Sequence, residues 1–251
     1  MRLAAFVLCV AFATSAHAEP RLRHRKAHVV ALGAGGVVFV LAGTVVQDAL
    51  APDACRWCGA NGLDSSVRDA LVWSDPRRAA ALSNVTGYVL APIAALGLPL
   101  FDDAAHIADD AIPVLEGLVA AELVTQAVKL SFGRQRPYAH FATGEYASSV
   151  EDNLSFTSGH TSIAFAFAVG AGTVAHARHA RLEPVIWATG LAIAATTAYL
   201  RIAADKHWLT DTLGGAAIGS AAGYFVPRLA GALPEMEVVP TRSGVAVVGR
   251  F

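Results

Sequence analysis

The sequence is poor in charged residues, which make up 16% of its 251 positions and balance to a formal net charge of −1. Soluble domains carry roughly 25% charged residues. The basic residues form no stripe along the chain, which excludes a nucleic-acid-binding protein. Hydrophobic residues reach 55% and the mean hydropathy is +0.48. The composition therefore favours helices buried in a membrane over a typical soluble domain.

The chain also lacks a Pro/Ser-rich linker, a repeat and a low-complexity run, so it predicts a single domain. Residues 1–18 combine Arg2, an apolar stretch and the small-residue pattern Ala16-His17-Ala18, which together are typical of a cleaved signal peptide. The predicted organisation is a signal peptide (1–18), a helical domain (19–231) and a C-terminal tail (232–251).

Cysteine is scarce as well, and Cys9 would leave with the signal peptide. The two remaining thiols, Cys55 and Cys58, have no nearby paired histidines and make a poor zinc site. In an exported loop this pair predicts a small local disulfide.

Long apolar segments are what the sequence has in abundance. Each approaches the roughly 20 residues that cross a bilayer, and the segments are rich in the Ala and Gly that allow close helix packing. They predict an all-α fold, a six-helix bundle embedded in a membrane; a soluble Ala-rich bundle is the alternative. The alternating residues 236–251, with a turn signal at Ser243-Gly244, predict a short terminal β-hairpin. The six segments are 29–46, 85–100, 111–128, 161–175, 185–200 and 213–226.

Six crossings would bring the loops around residues 48–80, 129–160 and 201–212 to one side of the membrane. The basic residues between Arg21 and Lys26 favour a cytoplasmic start for the first segment. A cleaved export signal would place the same residues outside. Both predictions cannot hold if all six segments span, and the sequence leaves the alternatives open.

The first polar motif, KLSFGRQRP, ends the third apolar segment with Lys129 and Arg136, and Arg134 adds a further charge. Gly133 and Pro137 predict that the helix stops between the two cations. The planar fork of arginine matches phosphate oxygens, and lysine supplies a compact charge. A basic flank beside a membrane helix is the alternative interpretation.

The second motif, Ser158-Gly159-His160, opens the fourth apolar segment. A helix N-terminus presents free N–H groups to an anion, Gly159 permits close approach, and Ser158 adds a hydroxyl. His160 is placed to act as a general acid. The alternative is a plain N-cap followed by a solvent-facing histidine.

The third motif joins Arg201, at the end of an apolar segment, to His207 and Asp211. Four residues apart, His207 and Asp211 would share a helix face, so that Asp211 accepts the ring N–H and leaves the other nitrogen as a nucleophile. A surface His–Asp pair beside an interfacial arginine is the alternative.

Taken in order, K-x6-RP, SGH and R-x5-H-x3-D resemble the signature of the type 2 phosphatidic acid phosphatase and vanadium haloperoxidase superfamily, in its lipid phosphatase branch. The resemblance covers residues 129–223. Two positions depart from the usual pattern, since Thr157 replaces a proline and Leu200 replaces a serine that contacts phosphate.

The resemblance implies a phosphatase that uses neither a metal nor another cofactor and acts on a phospholipid or polyprenyl phosphate. By this likeness His207 attacks phosphorus to form a phosphohistidine, Asp211 orients it, and His160 protonates the leaving group. The phosphate oxygens would be held by Lys129, Arg136, Ser158, Gly159 and Arg201. The expected location is a bacterial inner membrane, with the active site facing the periplasm.

Three other functions are compatible with parts of this pattern. A soluble periplasmic acid phosphatase would use the same chemistry on water-soluble esters. A vanadate-dependent haloperoxidase would hold vanadate in the same oxyanion site. A scaffold or transporter would keep an anion site without turnover, although such a site needs no nucleophile.

Overall fold

The computed structural model describes residues 25–101, 106–143, 149–232, 236–241 and 244–249, so the predicted signal peptide lies outside the described residues. Helix dominates this part of the chain. Short π-helical or 3-10 turns continue several of the helices. The α-helices are α1 (Arg25–Leu41), α2 (Gln47–Leu50), α3 (Gly62–Leu71), α4 (Pro76–Val85), α5 (Ala91–Gly97), α6 (Ile107–Phe132), α7 (Pro137–His140), α8 (Gly159–Ala177), α9 (Glu183–Ala203) and α10 (Leu209–Pro227).

Each apolar segment predicted from the sequence falls within a helical stretch. Four described stretches are long and apolar enough to cross a membrane. Their outward faces carry exposed aliphatic side chains such as Val30 and Ile93, which agrees with contact to lipid. The all-helical membrane architecture is thus supported, whereas the number of six crossings stays a prediction. The four stretches are Lys26–Val46, Pro76–Phe101, Ile107–Phe132 and Glu183–Ala203.

Helix α8 forms the centre of the bundle, with most of its residues buried and with α6, α9 and α10 packed around it. Its contact with α10 is very close, because Gly215, Gly219 and Gly223 recur every four residues on the face that meets α8. A Cβ atom at Gly219 would collide with the Ser162 carbonyl oxygen, and one at Gly223 would lie 2.8 Å from the Ala166 carbonyl oxygen. The glycine face therefore sets how near the two helices approach.

The helices bring the three polar motifs to one end of the bundle. Helices α6 and α9 end there, and α8 and α10 begin there. Contacts join the loops at this end, among them a bond from the Arg134 guanidinium to Asp211 and one from the Thr210 N–H to Asp64. An ion pair between Arg178 and Asp110, 2.7 Å, joins α6 to the residue that follows α8 at the opposite end.

The tail contributes two short strands, β1 (Met236–Thr241) and β2 (Gly244–Gly249), which pair antiparallel. This is the region in which the sequence predicts a hairpin. The boundaries between signal peptide, helical domain and tail remain predictions.

Adding one methyl group at the glycine face should destabilise the bundle. We expect Gly219→Ala to lower the free energy of unfolding by about 3 kcal/mol, because the backbone of α8 must move to accept the new Cβ. Gly36→Ala is the matched control, since nothing lies within 4 Å of the position that its Cβ would take. Thermal unfolding in detergent micelles measures both, and equal melting temperatures would contradict the packing argument.

Candidate active site

The first motif is shaped by an abrupt end of α6. Gly133 adopts a left-handed conformation with φ of 55°, which a side chain disfavours. Arg56 donates from Nη1 to the carbonyls of Leu130 (3.0 Å) and Ser131 (3.1 Å), and so occupies two unpaired acceptors of the last turn. The loop that carries Arg56 is closed by a Cys55–Cys58 disulfide, which confirms the predicted pairing.

The three predicted phosphate-binding cations surround one small region. Arg136 donates from Nε to the Glu151 carbonyl (2.8 Å), and Arg201 donates from Nη1 to the Ser83 hydroxyl (3.2 Å). Both guanidinium groups are buried, and Nε of Arg201 has no hydrogen-bond partner among the described residues. Buried cations held in this way keep donors available for an anion.

Lys129 reaches the same region, where its ammonium group lies next to Gly159. A Cβ at this glycine would lie 3.5 Å from Lys129 Nζ. The ammonium group therefore sits directly beside the N-terminus of α8, where backbone N–H groups also favour an anion. Ser158 is the N-cap of α8, since its hydroxyl oxygen accepts from the Thr161 backbone N–H at 3.5 Å, as the cap interpretation predicts.

His207 is buried, with 2% of its surface exposed, and its ring has a fixed orientation. Nδ1–H donates to the Ser155 carbonyl at 2.9 Å, which leaves Nε2 with its lone pair. Burial lowers the pKa of His207 well below its ordinary value, and the charges of Arg136 and Arg201 lower it further. The imidazole is accordingly neutral at pH 7.

Asp211 does not hold His207 in the way the sequence predicts. Its Oδ2 lies 3.5 Å from His207 Nδ1, so the Ser155 carbonyl is the nearer acceptor. The assumption of a shared helix face was also wrong, because α10 begins at Leu209, after the histidine. Instead, Oδ2 accepts the Ser155 hydroxyl (2.5 Å) and the Trp208 N–H (2.9 Å), and caps the helix. Asp211 is thus connected to His207 mainly through Ser155, which bonds to both side chains.

His160 is oriented by residues of the helical stretch Pro76–Phe101, which sequence reasoning missed. Its Nε2–H donates to Asn84 Oδ1 at 2.7 Å, and the Tyr88 hydroxyl lies 3.3 Å from Nδ1. The Tyr88 and His160 rings are 4.4 Å apart. Burial, followed by the charges of Arg201 and Lys129, lowers the pKa of His160 to about 2. The histidine is therefore neutral at pH 7.

The sequence suggested Arg134 as an additional cation. Its bonding partners differ from those of Arg136 and Arg201. It is fully buried and bonded to two carboxylates, Asp211 Oδ1 (2.5 Å) and Asp64 Oδ2 (2.6 Å). Asp64 was missed because it lies 70 residues away on α3 with no motif around it. One physical signal could have pointed to such a carboxylate: a buried guanidinium requires an anionic partner.

The structure thus brings together all eight residues that the sequence predicts for the site, while their chemical roles stay predictions. Within the part of the chain that is described, no group of three or more His, Cys, Asp or Glu side chains could hold a metal ion.

The cation cluster should bind inorganic phosphate. We expect millimolar phosphate to raise the melting temperature, because an anion that binds the folded state stabilises it by mass action. Arg201→Met should reduce this shift by more than half, whereas Arg78→Met, an exposed position on α4, should leave it unchanged. A shift that survives Arg201→Met would place the anion elsewhere.

Comparison with known proteins gives an independent view of the same residues. The PAP2 superfamily profile matches residues 110–234. Over 109 residues, 42% of this chain, the sequence is 35% identical to the lipid A 1-phosphatase of Porphyromonas gingivalis (strain ATCC 33277). The matched segment spans only 21% of that relative's length.

Two solved structures are similar. One is the first transmembrane PAP2 type phosphatidylglycerolphosphate phosphatase from Bacillus subtilis, with a TM-score of 0.50 and 19% identity over 79% of this chain and 94% of that chain. The other is Aquifex aeolicus LpxE, with a TM-score of 0.44 and 21% identity over 66% of this chain and 93% of that chain. The chain thus shares the fold of the Bacillus subtilis structure, and the profile match contains every predicted site residue. This chain belongs to the PAP2 superfamily.

Proposed function

We propose that this protein is a membrane-embedded phosphatase that hydrolyses a lipid phosphate or pyrophosphate through a phosphohistidine on His207, without a metal ion. The environment of His207 is the observation that carries this proposal. A neutral imidazole with Nδ1 bonded to a carbonyl has Nε2 available as a nucleophile. Three cations near it lower its pKa and can hold the phosphate that it attacks.

In the first step the Nε2 lone pair attacks phosphorus and the bond from phosphorus to the ester oxygen breaks. The bonding electrons leave with that oxygen, which takes a proton from His160. Lys129, Arg136 and Arg201 stabilise the charge on the remaining phosphate oxygens, with Ser158 and the Gly159 N–H as further donors. Nδ1–H of the resulting His207 cation keeps its bond to the Ser155 carbonyl, and Asp211 Oδ2, 3.5 Å away, offsets the charge.

In the second step His160 accepts a proton from water, the water oxygen attacks phosphorus, and the bond from phosphorus to Nε2 breaks. The electrons return to His207, and inorganic phosphate leaves. His160 must be protonated for the first step. A bound phosphate dianion offsets the cations that lower the pKa of His160, and thereby raises it. Substrate binding thus prepares the general acid.

A lipid substrate is supported by two observations. The Porphyromonas gingivalis relative is named for a phosphate ester of a lipid, and this chain carries helices apolar enough to lie in a membrane beside such a substrate. The exposed aliphatic side chains on these helices disfavour the soluble acid phosphatase. The proposed substrates are phosphatidate, phosphatidylglycerol phosphate, undecaprenyl pyrophosphate and lipid A phosphates.

The proposed location is a bacterial inner membrane with the site facing the periplasm. The Cys55–Cys58 disulfide lies in a loop at the end of the bundle that carries the site, and disulfides persist in oxidising compartments. The His28–Glu116 contact, 3.0 Å, places the start of α1 toward the opposite end. The basic residues at the start of α1 would then be cytoplasmic, in agreement with the charge rule for membrane helices, so this proposal takes the cytoplasmic start in place of the cleaved export signal.

Removal of the proposed nucleophile should abolish turnover. We expect His207→Ala to lower phosphate release from each of the four lipid substrates by at least about 10⁴-fold, because no other group replaces the attacking nitrogen. His176→Ala is the control, since this exposed histidine lies at the far end of α8. When the reaction with a ³²P-labelled substrate is trapped, we expect acid-labile ³²P on the wild-type protein and none on His207→Ala. Retained turnover in folded His207→Ala would refute the proposed function.

Membrane integration separates the lipid enzyme from the soluble alternative. After an alkaline carbonate wash we expect the protein to stay in the membrane pellet, because four described helices are long and apolar enough to span. Immunoblotting of pellet and supernatant measures this. Quantitative release into the supernatant would favour the soluble acid phosphatase.

A further inference from the structure

We propose that Arg134 and Asp64 are positioning residues for His207, which hold both acceptors that face its Nδ1 atom. This inference rests on the proposed function, because it takes His207 as the nucleophile. It adds a buried chain of charges, Asp64–Arg134–Asp211, to the groups that contact the substrate.

Arg134 supports the first acceptor, the Ser155 carbonyl, through its backbone. The Ser155 N–H donates to the Arg134 carbonyl at 2.9 Å, and the carbonyl of the same Ser155 accepts from His207 Nδ1. The peptide segment that fixes the histidine tautomer is therefore paired directly with the residue that carries the guanidinium group.

Arg134 supports the second acceptor, Asp211, through its side chain. Nη1 donates to Asp211 Oδ1 and to the Thr210 hydroxyl, and Nη2 donates to Asp64 Oδ2. The Trp57 ring covers the guanidinium, with its centroid 3.9 Å from the Arg134 Cζ atom. A lysine has neither the planar fork nor the two sets of donors that bridge two carboxylates.

Asp64 fixes the other side of this arrangement. It is fully buried and accepts from the Thr210 N–H (2.9 Å), the Thr210 hydroxyl (2.7 Å) and Arg134. It thereby ties α3 to the first turn of α10, one residue before Asp211. Without Asp64 one half of the guanidinium would be buried without an acceptor, and Arg134 would be free to turn away from Asp211.

Asp64 also lies outside residues 110–234, the part that matches the superfamily profile. The segment before α4 therefore supplies a buried anion to a site whose predicted catalytic and phosphate-binding residues all come from the matched part. Trp57 and the Cys55–Cys58 loop come from the same segment and cover Arg134. This gives the N-terminal third of the chain a role in catalysis.

The test measures kcat and KM with a short-chain phosphatidate in detergent micelles. We expect Asp64→Asn and Arg134→Lys to lower kcat by about 10- to 100-fold while KM changes by less than about twofold, because neither side chain touches the substrate. Arg178→Lys is the control at the opposite end of the bundle, where loss of the partly buried Arg178–Asp110 pair should leave kcat unchanged.

A double-mutant cycle separates positioning from general support of the fold. If Arg134 acts through Asp211, adding Arg134→Lys to Asp211→Asn should lower kcat by less than about threefold more, because the linked group is already gone. If the role were purely structural, the separate effects of Arg134→Lys and Asp211→Asn on kcat would multiply in the double variant. The melting temperature would fall in parallel.

Several outcomes would overturn this inference. They are wild-type kcat in folded Asp64→Asn and Arg134→Lys, multiplied effects in the cycle, or failure of both single variants to fold. Turnover that persists in His207→Ala would instead overturn the proposed function itself, so the two failures are distinguishable.

Discussion

Several charged side chains are withdrawn from water at one end of this helix bundle, and the free energy needed to desolvate them determines how the surrounding chain is arranged. They include Arg134, Arg136, Arg201, Asp64 and Asp211. A buried charge persists only with a partner. Arg134 finds its partners in the two carboxylates, whereas Arg136 and Arg201 are held by carbonyl and hydroxyl oxygens, with the exposed carboxylate of Glu151 3.4 Å from Arg136. The cluster therefore separates one structural cation from two that retain capacity for an anion.

Burial, reinforced by the neighbouring cations, lowers the pKa of both His160 and His207 and explains why the two histidines are neutral. Each imidazole is desolvated and faces cations, and both effects disfavour the imidazolium form. A bound phosphate would offset the effect of these cations on the pKa of both imidazoles. Under the proposed function, the negative charge of a bound phosphate would raise the pKa of His160 and favour its protonated form.

Sequence patterns were sufficient to predict the residues that the structure brings together in the candidate site, because these residues lie in short motifs with fixed spacing. Helical placement was equally accessible, since each apolar segment lies in a helical stretch. The supporting contacts were not accessible. Asp64, Ser155, Asn84 and Tyr88 reach the site from separate loops and helices, and no local pattern marks them. The bond from His207 to the Ser155 carbonyl involves a backbone atom, which no residue identity can reveal.

The glycine face between α8 and α10 limits where α10 can accept an inserted or deleted residue. Helix α8 carries His160 in its first turn and α10 carries Asp211 in its first turn. One inserted residue between Asp211 and Gly215 would rotate the rest of α10 by about 100°, turning Gly219 and Gly223 away from α8. A single-residue insertion or deletion in this stretch would therefore replace the glycine contact with larger side chains and separate the starts of the two helices that carry His160 and Asp211.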